Sequence, residues 1–369
     1  MSDRIFVGTR KGLFRLDRAG SGWQITSSAF LGVPVTMVLC DPRDGVVYAA
    51  LEHGHFGAKL HRSTDGGKEF EEVTVPVYPE KPEGEEDVLA LQQQPLEWKL
   101  KGIWSLEAGG SDEPDWLWCG TTPGGLFVSE DRGGSWRIVS SLWNHPRRKE
   151  WFGGGTDVPA IHSICVDPRD AATVRIAISC GGVWETTSHG ETWDVIGKGM
   201  YADYMPPEKT AEPNVQDPHR MVQCRAKPDC FWVQHHNGVF RSTDACRNWQ
   251  DIKVEPSVFG FATVVHPEDP DTAWFVPGVK DEVRIPVDGK VVVTRTRDGG
   301  RTFDVLREGL PQEHAYDLTF RHGMDIDATG DRLVFGSTTG SLWTSDNQGD
   351  SWQQFSAHLP PVYCVRFVK

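Results

Sequence analysis

The sequence predicts an all-β, seven-bladed β-propeller of four-stranded blades whose N- and C-terminal strands share one blade. Six segments repeat one short pattern, their closing aromatics recur at blade-length intervals, and the two chain ends supply complementary parts of a seventh repeat. The pattern is S/T-x-D-x-G-x-T-W. It occurs at Ser63 to Phe70 (STDGGKEF), Ser129 to Trp136 (SEDRGGSW), Thr186 to Trp193 (TTSHGETW), Ser242 to Trp249 (STDACRNW), Thr296 to Phe303 (TRDGGRTF) and Ser345 to Trp352 (SDNQGDSW). A seventh segment, GLFRLDRAGSGWQI, has lost the pattern but keeps the strand, the turn and Trp23. The closing aromatics fall at 23, 70, 136, 193, 249, 303 and 352, a period of 47 to 66 residues and therefore one blade per repeat.

The physics of the repeat is local. A short polar side chain at the Asp position accepts hydrogen bonds from turn N–H groups, glycine tolerates positive φ, and the aromatic packs between sheets. The segment is thus a clasp on the hairpin between the third and fourth strands of a blade. The departures include Ser188 and Asn347 at the Asp position, Ala245 at the fourth position of a segment that also lacks the fifth-position glycine, and Glu69 in place of Thr. Upstream of each clasp stand an innermost strand and a turn often marked by proline, as in CDPRD at 40–44, VDPRD at 166–170, AKPDC at 226–230 and HPEDP at 266–270. The chain begins at a second-strand segment, RIFVGT, and ends on an unpartnered apolar one, VYCVRFVK. Running from Trp352 through Lys369 and on to Trp23 spans 40 residues, 17 at one end and 23 at the other. That is close to one repeat, so Val362 to Lys369 is expected as the innermost strand of the N-terminal blade, removing the sheet edges that an open array would expose. Residues 1–369 then form one domain.

Composition agrees. With 39 Gly, 24 Pro and 15 Trp and only short apolar runs, the chain reads as many short strands joined by tight turns, without a long helix. A net charge of −14 disfavours nucleic acid, whose backbone is held by clustered Lys and Arg. The N-terminus enters a strand without a signal pattern and no 18-residue apolar run follows, which predicts a cytoplasmic protein with no membrane contact. Eight cysteines without a CxxC pair read as reduced core residues.

The repeated clasp resembles the Asp box of sialidases and other bacterial neuraminidase repeat proteins, and this identifies the chain with the Asp-box, sialidase-like propeller superfamily. The resemblance covers the blade repeats only. Asp boxes also occur in seven-bladed glucan hydrolases and in propellers that serve as receptors or assembly factors. A sialidase proper would carry an arginine trio, a Tyr/Glu pair and six blades. The Arg-Ile-Pro at Arg284 to Pro286 stands too late in the chain for that pattern.

Clasp turns lie on one face of a propeller, and the connections entering each blade lie on the other. Those connections expand at 76–103, 140–160 and 196–218, so a site is expected on their face. Polar clusters map there: Glu52, His53 and His55; Gln234, His235, His236 and Asn237; Asp157 and His162; Asp217, His219 and Arg220; and His314, Tyr316 and Asp317. Taken singly, each also suits the lining of a water-filled channel. The Gly153 to Gly155 run lacks the context of a phosphate loop and reads as permitting close chain approach near Asp157. The acidic loop 80–87 reads as solvated.

Three chemistries fit. A glycosidase-like hydrolase acting on a small-molecule or carbohydrate ligand would draw its carboxylate pair from Asp157, Asp217, Glu52 and Asp317. Tyr316 and Arg220 would lie nearby, and Trp143, Trp151, Tyr201 and Tyr204 would stack on sugar rings. A transition-metal enzyme would take its ligands from His53, His162, His219, His235 and His314, with Glu52, Asp157 and Asp317 outside them. A non-catalytic module would use the same face for a protein partner.

Overall fold

In the computed structural model, which describes residues 1–154 and 156–368, the strands form seven four-stranded antiparallel sheets. In six of them the strands follow chain order. The seventh runs Val362–Phe367, Arg4–Thr9, Gly12–Ala19, Gly22–Ala29, so the two chain ends share one blade. The innermost strand stops at Phe367, and Lys369 lies outside the described residues. The other innermost strands are Val35–Cys40, Gly102–Ala108, Ala160–Asp167, Pro218–Gln223, Gly260–Val265 and Met324–Ile326. Each contacts the next, and the last contacts Val362–Phe367, which in turn contacts the first, so the ring is closed.

The clasp works through two repeated contacts. In all six segments the first hydroxyl accepts the N–H four residues on: Gly67 to Ser63 (2.9 Å), Gly133 to Ser129 (2.8 Å), Gly190 to Thr186 (3.0 Å), Cys246 to Ser242 (3.1 Å), Gly300 to Thr296 (2.9 Å) and Gly349 to Ser345 (2.9 Å). The Asp-position side chain accepts further turn N–H groups, and the substitutes do the same. Thr192 N–H reaches Ser188 Oγ at 3.0 Å, and Ser351 N–H reaches Asn347 Oδ1 at 3.0 Å. The fourth and fifth positions have positive φ in every clasp, including Ala245 (60°) and Cys246 (67°). The hydrogen bonds therefore hold non-glycine residues where glycine is otherwise favoured.

The core lies between blades. Trp274 of one sheet packs in a single cluster with Trp343 and Trp352 of the next, and Trp118 does so with Trp184 and Trp193. Trp143 and Trp151, expected as sugar-stacking rings, are 3% and 1% exposed and belong to these clusters, because the long connection carrying them folds back onto the sheets. The acidic loop 80–87 is mostly exposed, as expected of a solvated segment, but its last residue, Asp87, is buried against Arg148 at 2.7 Å. Six of the eight cysteines are buried in the core, and Cys165 and Cys230 are half-buried.

Ring closure leaves no space at Gly8. A Cβ there would stand 2.7 Å from Cys364 Sγ and 3.1 Å from the Val35 carbonyl, across the joint between the terminal strands and their neighbour. Gly8→Val should destabilise the fold by roughly 1–3 kcal/mol through overpacking. Urea unfolding should show a lower midpoint at unchanged slope, partly restored when Cys364→Ala is added.

Candidate functional site

A repeated irregularity builds the axis. The register slips between Val35 and Met37, Ile103 and Ser105, Ile161 and Ser163, Pro218 and Arg220, and Gly260 and Thr263, and it slips again opposite Gly8 and Thr9, where Tyr363 is passed over. Six innermost strands thus carry a bulge at the same height, occupied by Thr36, Trp104, His162, His219, Phe261 with Ala262, and Tyr363. A bulge re-aims a side chain without breaking the sheet. In the remaining blade Arg321 and His322, just before Met324–Ile326, reach the same level.

These residues surround a cavity of about 360 Å³, lined by Thr36, Trp104, Phe261, Phe320, Arg321, His322 and Tyr363 together with Glu52, Lys101, Thr156 and Arg284. Beside it lies a cluster that Phe261 connects to the cavity, since its ring stacks on His219 at 4.4 Å and 15°. Asp217, His219 and His236 offer ligand atoms that all lie within 4.8 Å of one another. Asp217 Oδ1 accepts Ser179 Oγ–H (3.1 Å) and Cys180 N–H (3.2 Å), while Oδ2 stands 3.4 Å from His219 Nε2 and 3.6 Å from His236 Nδ1. Burial alone would raise the Asp217 carboxyl. The charge and hydrogen bonding of His219, the hydrogen bonding of His236 and the charge of Arg321 outweigh it and hold Asp217 well below the usual carboxylate range.

The donor set suits a metal ion. His219 Nδ1 lies 2.7 Å from the Gly260 carbonyl oxygen and must donate to it, so Nε2 donates to Asp217 when the ring is protonated, and a metal ion displacing that proton would take the Nε2 lone pair. That carbonyl contact is the orienting partner a ligating histidine ordinarily has. Two imidazoles and one carboxylate match both catalytic zinc and non-haem iron sites, with open positions for substrate.

The structure separates the remaining candidates. His235, the last residue of its strand, stands with Nε2 3.0 Å from the Asp217 N–H and Nδ1 3.1 Å from the Asn237 N–H, of which the neutral ring accepts one, and burial pushes its pKa down to about 3. It holds the Asp217 backbone and does not join the cluster. His162 is fully buried on the axis with Nδ1 against Ser163 Oγ at 3.0 Å. His53 is exposed in the hairpin after Val47–Glu52 and packs on Phe56, while Glu52 beside it reaches the cavity. Asp157 is exposed on the connection that closes over Asp217: a Cβ on Gly154 would stand 3.2 Å from Asp217 Oδ2. Gly155, in the glycine run expected to permit that approach, lies outside the described residues.

Arg220 lines a different cavity of about 460 Å³ at the clasp-side mouth, with Glu107 and Asp325, where burial and Arg366 lower its pKa to about 10. Asp317 accepts Ser337 Oγ–H at 2.7 Å and the Thr339 hydroxyl, so it clasps a turn, and His314 and Tyr316 beside it are exposed. Tyr201 packs edge-on to Phe240, and Tyr204 edge-on to His236. Residues not singled out from the sequence, Trp104, Phe261, Phe320, Arg321, His322 and Tyr363, supply the aromatic part of the cavity wall and its buried cation. Only a bulge, which leaves no mark in sequence spacing, turns several of them inward.

No family model matches the chain. It is 34% identical over 280 residues to an oligoxyloglucan-reducing end-specific xyloglucanase of Emericella nidulans, an alignment covering 69% of this chain and 32% of that protein. The chain thus spans about a third of the length of the curated relatives it matches. Among solved structures, the GH74 xyloglucanase of Xanthomonas campestris superposes with a TM-score of 0.65 at 17% identity, over 100% of this chain and 53% of that one. YCF48 of Cyanidioschyzon merolae superposes with a TM-score of 0.56 at 14% identity, over 93% and 89%. At these identities the superpositions establish the fold.

They also correct two expectations. The structural likeness falls on GH74 xyloglucanase propellers and not on the sialidase family suggested by the Asp boxes, since the box is a turn device shared across propellers. The expected cytoplasmic location does not stand beside the likeness to GH74 xyloglucanases either. No helix among the described residues is long and apolar enough to cross a membrane.

The cluster makes a direct prediction. Protein stripped with chelator and then dialysed against zinc or manganese should retain close to one equivalent by elemental analysis. His219→Ala and His236→Ala should each lose it, while His162→Ala keeps it. Equal retention in all three variants would contradict the assignment.

Proposed function

We propose that residues 1–369 act as one unit, a glycoside-hydrolase-type enzyme that takes a small, carbohydrate-like substrate into the axial cavity. The observation that carries this reading is Asp217, a buried carboxylate kept ionised and joined through His219 and the Phe261 ring to a cavity walled by Trp104, Phe261, Phe320 and Tyr363. Aromatic faces suit the apolar faces of sugar rings. A carboxylate oriented by Ser179 and Cys180 is fixed for attack on, or proton removal from, a bound group. Asp157, exposed on the connection over Asp217, is the second carboxyl that glycoside hydrolysis requires and can exchange protons with solvent. The sequence similarity to an oligoxyloglucan-specific enzyme supports the same class.

The Asp217, His219 and His236 geometry favours a second reading, metal-dependent hydrolysis at the same place. A bound metal ion would polarise the bond to be cleaved and activate water. The protein would supply the three ligands, the Gly260 carbonyl that orients His219, and the aromatic wall that excludes bulk solvent.

A panel of aryl glycosides and neutral and acidic oligosaccharides tests the proposal. Asp217→Asn should lower turnover by about 10²–10⁴-fold at nearly unchanged melting temperature, and Asp157→Asn should also lower it. Activity that survives exhaustive chelation supports the carboxylate pair, whereas activity lost and then restored by a divalent metal supports the second reading. Absence of turnover across the panel, or full activity in Asp217→Asn, would refute the hydrolase assignment.

A further inference from the structure

The cavity wall carries an uncompensated positive charge. Arg321 is 6% exposed, and its Nε and Nη2 are buried without a hydrogen-bond partner. Among the described residues no carboxylate comes within ion-pairing distance of it. Asp217 and Asp281 act on it only at longer range, and burial lowers its pKa to about 10, which leaves it charged at neutral pH. Its guanidinium lies over two rings, 4.8 Å from the centre of Trp104 and 5.2 Å from that of Phe261. Those faces offset part of the charge but satisfy none of the five N–H donors in its plane.

His322 repeats the pattern. Arg366 Nη2 lies 3.1 Å from His322 Nδ1, and since a guanidinium has no lone pair to offer, Nδ1 must accept. The proton of the neutral ring is therefore on Nε2, which is also buried and unpartnered. Arg284 supplies a second guanidinium on the same wall, 5.4 Å from the centre of Phe261, steadied by Asp281. Lys101, Arg284 and Arg321 face the cavity against one carboxylate, Glu52. With Arg284 already paired to Asp281, Lys101 and Arg321 remain as two cations against Glu52, in a chain whose net charge is −14. Burying a charged group without a partner is costly, and a fold that keeps one beside a cavity of ligand size holds donors for something that enters.

We infer that the axial cavity recognises a carboxylate-bearing small molecule, an acidic sugar or a comparable organic acid, whose carboxylate is bound by Arg321 with His322 and Arg284 around it. A carboxylate is planar and takes two parallel N–H bonds from the edge of a guanidinium. The Nε and Nη2 edge of Arg321 is the one left without a protein partner. Trp104, Phe261, Phe320 and Tyr363 then receive the rest of the molecule. The inference takes this cavity to be the substrate site proposed above and narrows its ligand from carbohydrate-like to acidic.

Calorimetric titration of the intact protein with glucuronate, glucose and inorganic phosphate tests the inference without requiring turnover. Glucuronate should bind at least tenfold more tightly than either glucose or phosphate. Arg321→Met should weaken glucuronate binding at least tenfold while the melting temperature stays level or rises, because a buried unpaired charge has been removed. Arg321→Lys, which keeps the charge but not the fork, should recover only part of the affinity. Equal affinity for glucuronate and glucose, phosphate binding as tight as glucuronate, or an Arg321→Met protein that loses stability but keeps its affinity would overturn the inference. Failure of the hydrolase reading has a different signature: glucuronate bound as expected, with no glycoside turned over.

Discussion

The pairing of Val362–Phe367 with Arg4–Thr9 is the contact on which the rest of the molecule depends. Each blade buries its faces only against its two neighbours, and its innermost strand is covered only while the ring is complete. An open array would leave two sheet faces wet and two edges unpaired, which chains avoid because such edges template aggregation. Closure also fixes the axis. The side chains that meet there come from seven separate sheets, and their separations are set by how the sheets pack, not by any chain segment alone.

This division explains what the sequence reveals. The blades are legible because the clasp is local chemistry: a hydroxyl, a carboxylate or its substitute, and an aromatic within eight residues. Even Ala245 and Cys246 do not hide it, since Ser242 and Asp244 still make the bonds that define the turn. The termini are legible because one repeat was short of an innermost strand and the C-terminus offered one. Which face bears the site follows from the long connections on it.

The site itself is only partly legible. Asp217 and His219 were visible as polar residues at the mouth of an innermost strand. His235 and His236 are neighbours whose side chains diverge, and only the strand's end geometry decides that His236 meets Asp217 while His235 turns to the backbone. Asp317 and Arg220 have the composition of site residues, but one clasps a turn and the other faces the opposite mouth of the channel. Trp104 and Phe261 look like core aromatics in any linear reading. A bulge of one or two residues moves them from the sheet to the axis, and no sequence period records it. The resemblance carried by the clasps pointed to sialidases for the same reason: a turn motif records how a blade is fastened, not what the blades enclose.

The bulges at the axis have a consequence for how such a molecule changes over time. Each sits where its strand has already left the regular ladder, so the residue it presents is uncoupled from the pairing on either side. Thr36, Trp104, His162, His219, Phe261 and Tyr363 differ in size, charge and chemistry, yet each stands at the same kind of register slip in its strand. The ring therefore behaves as a set of sockets, each refillable without disturbing the others. Lineages built on this frame can exchange ligand preference one blade at a time while the closed wall stays intact.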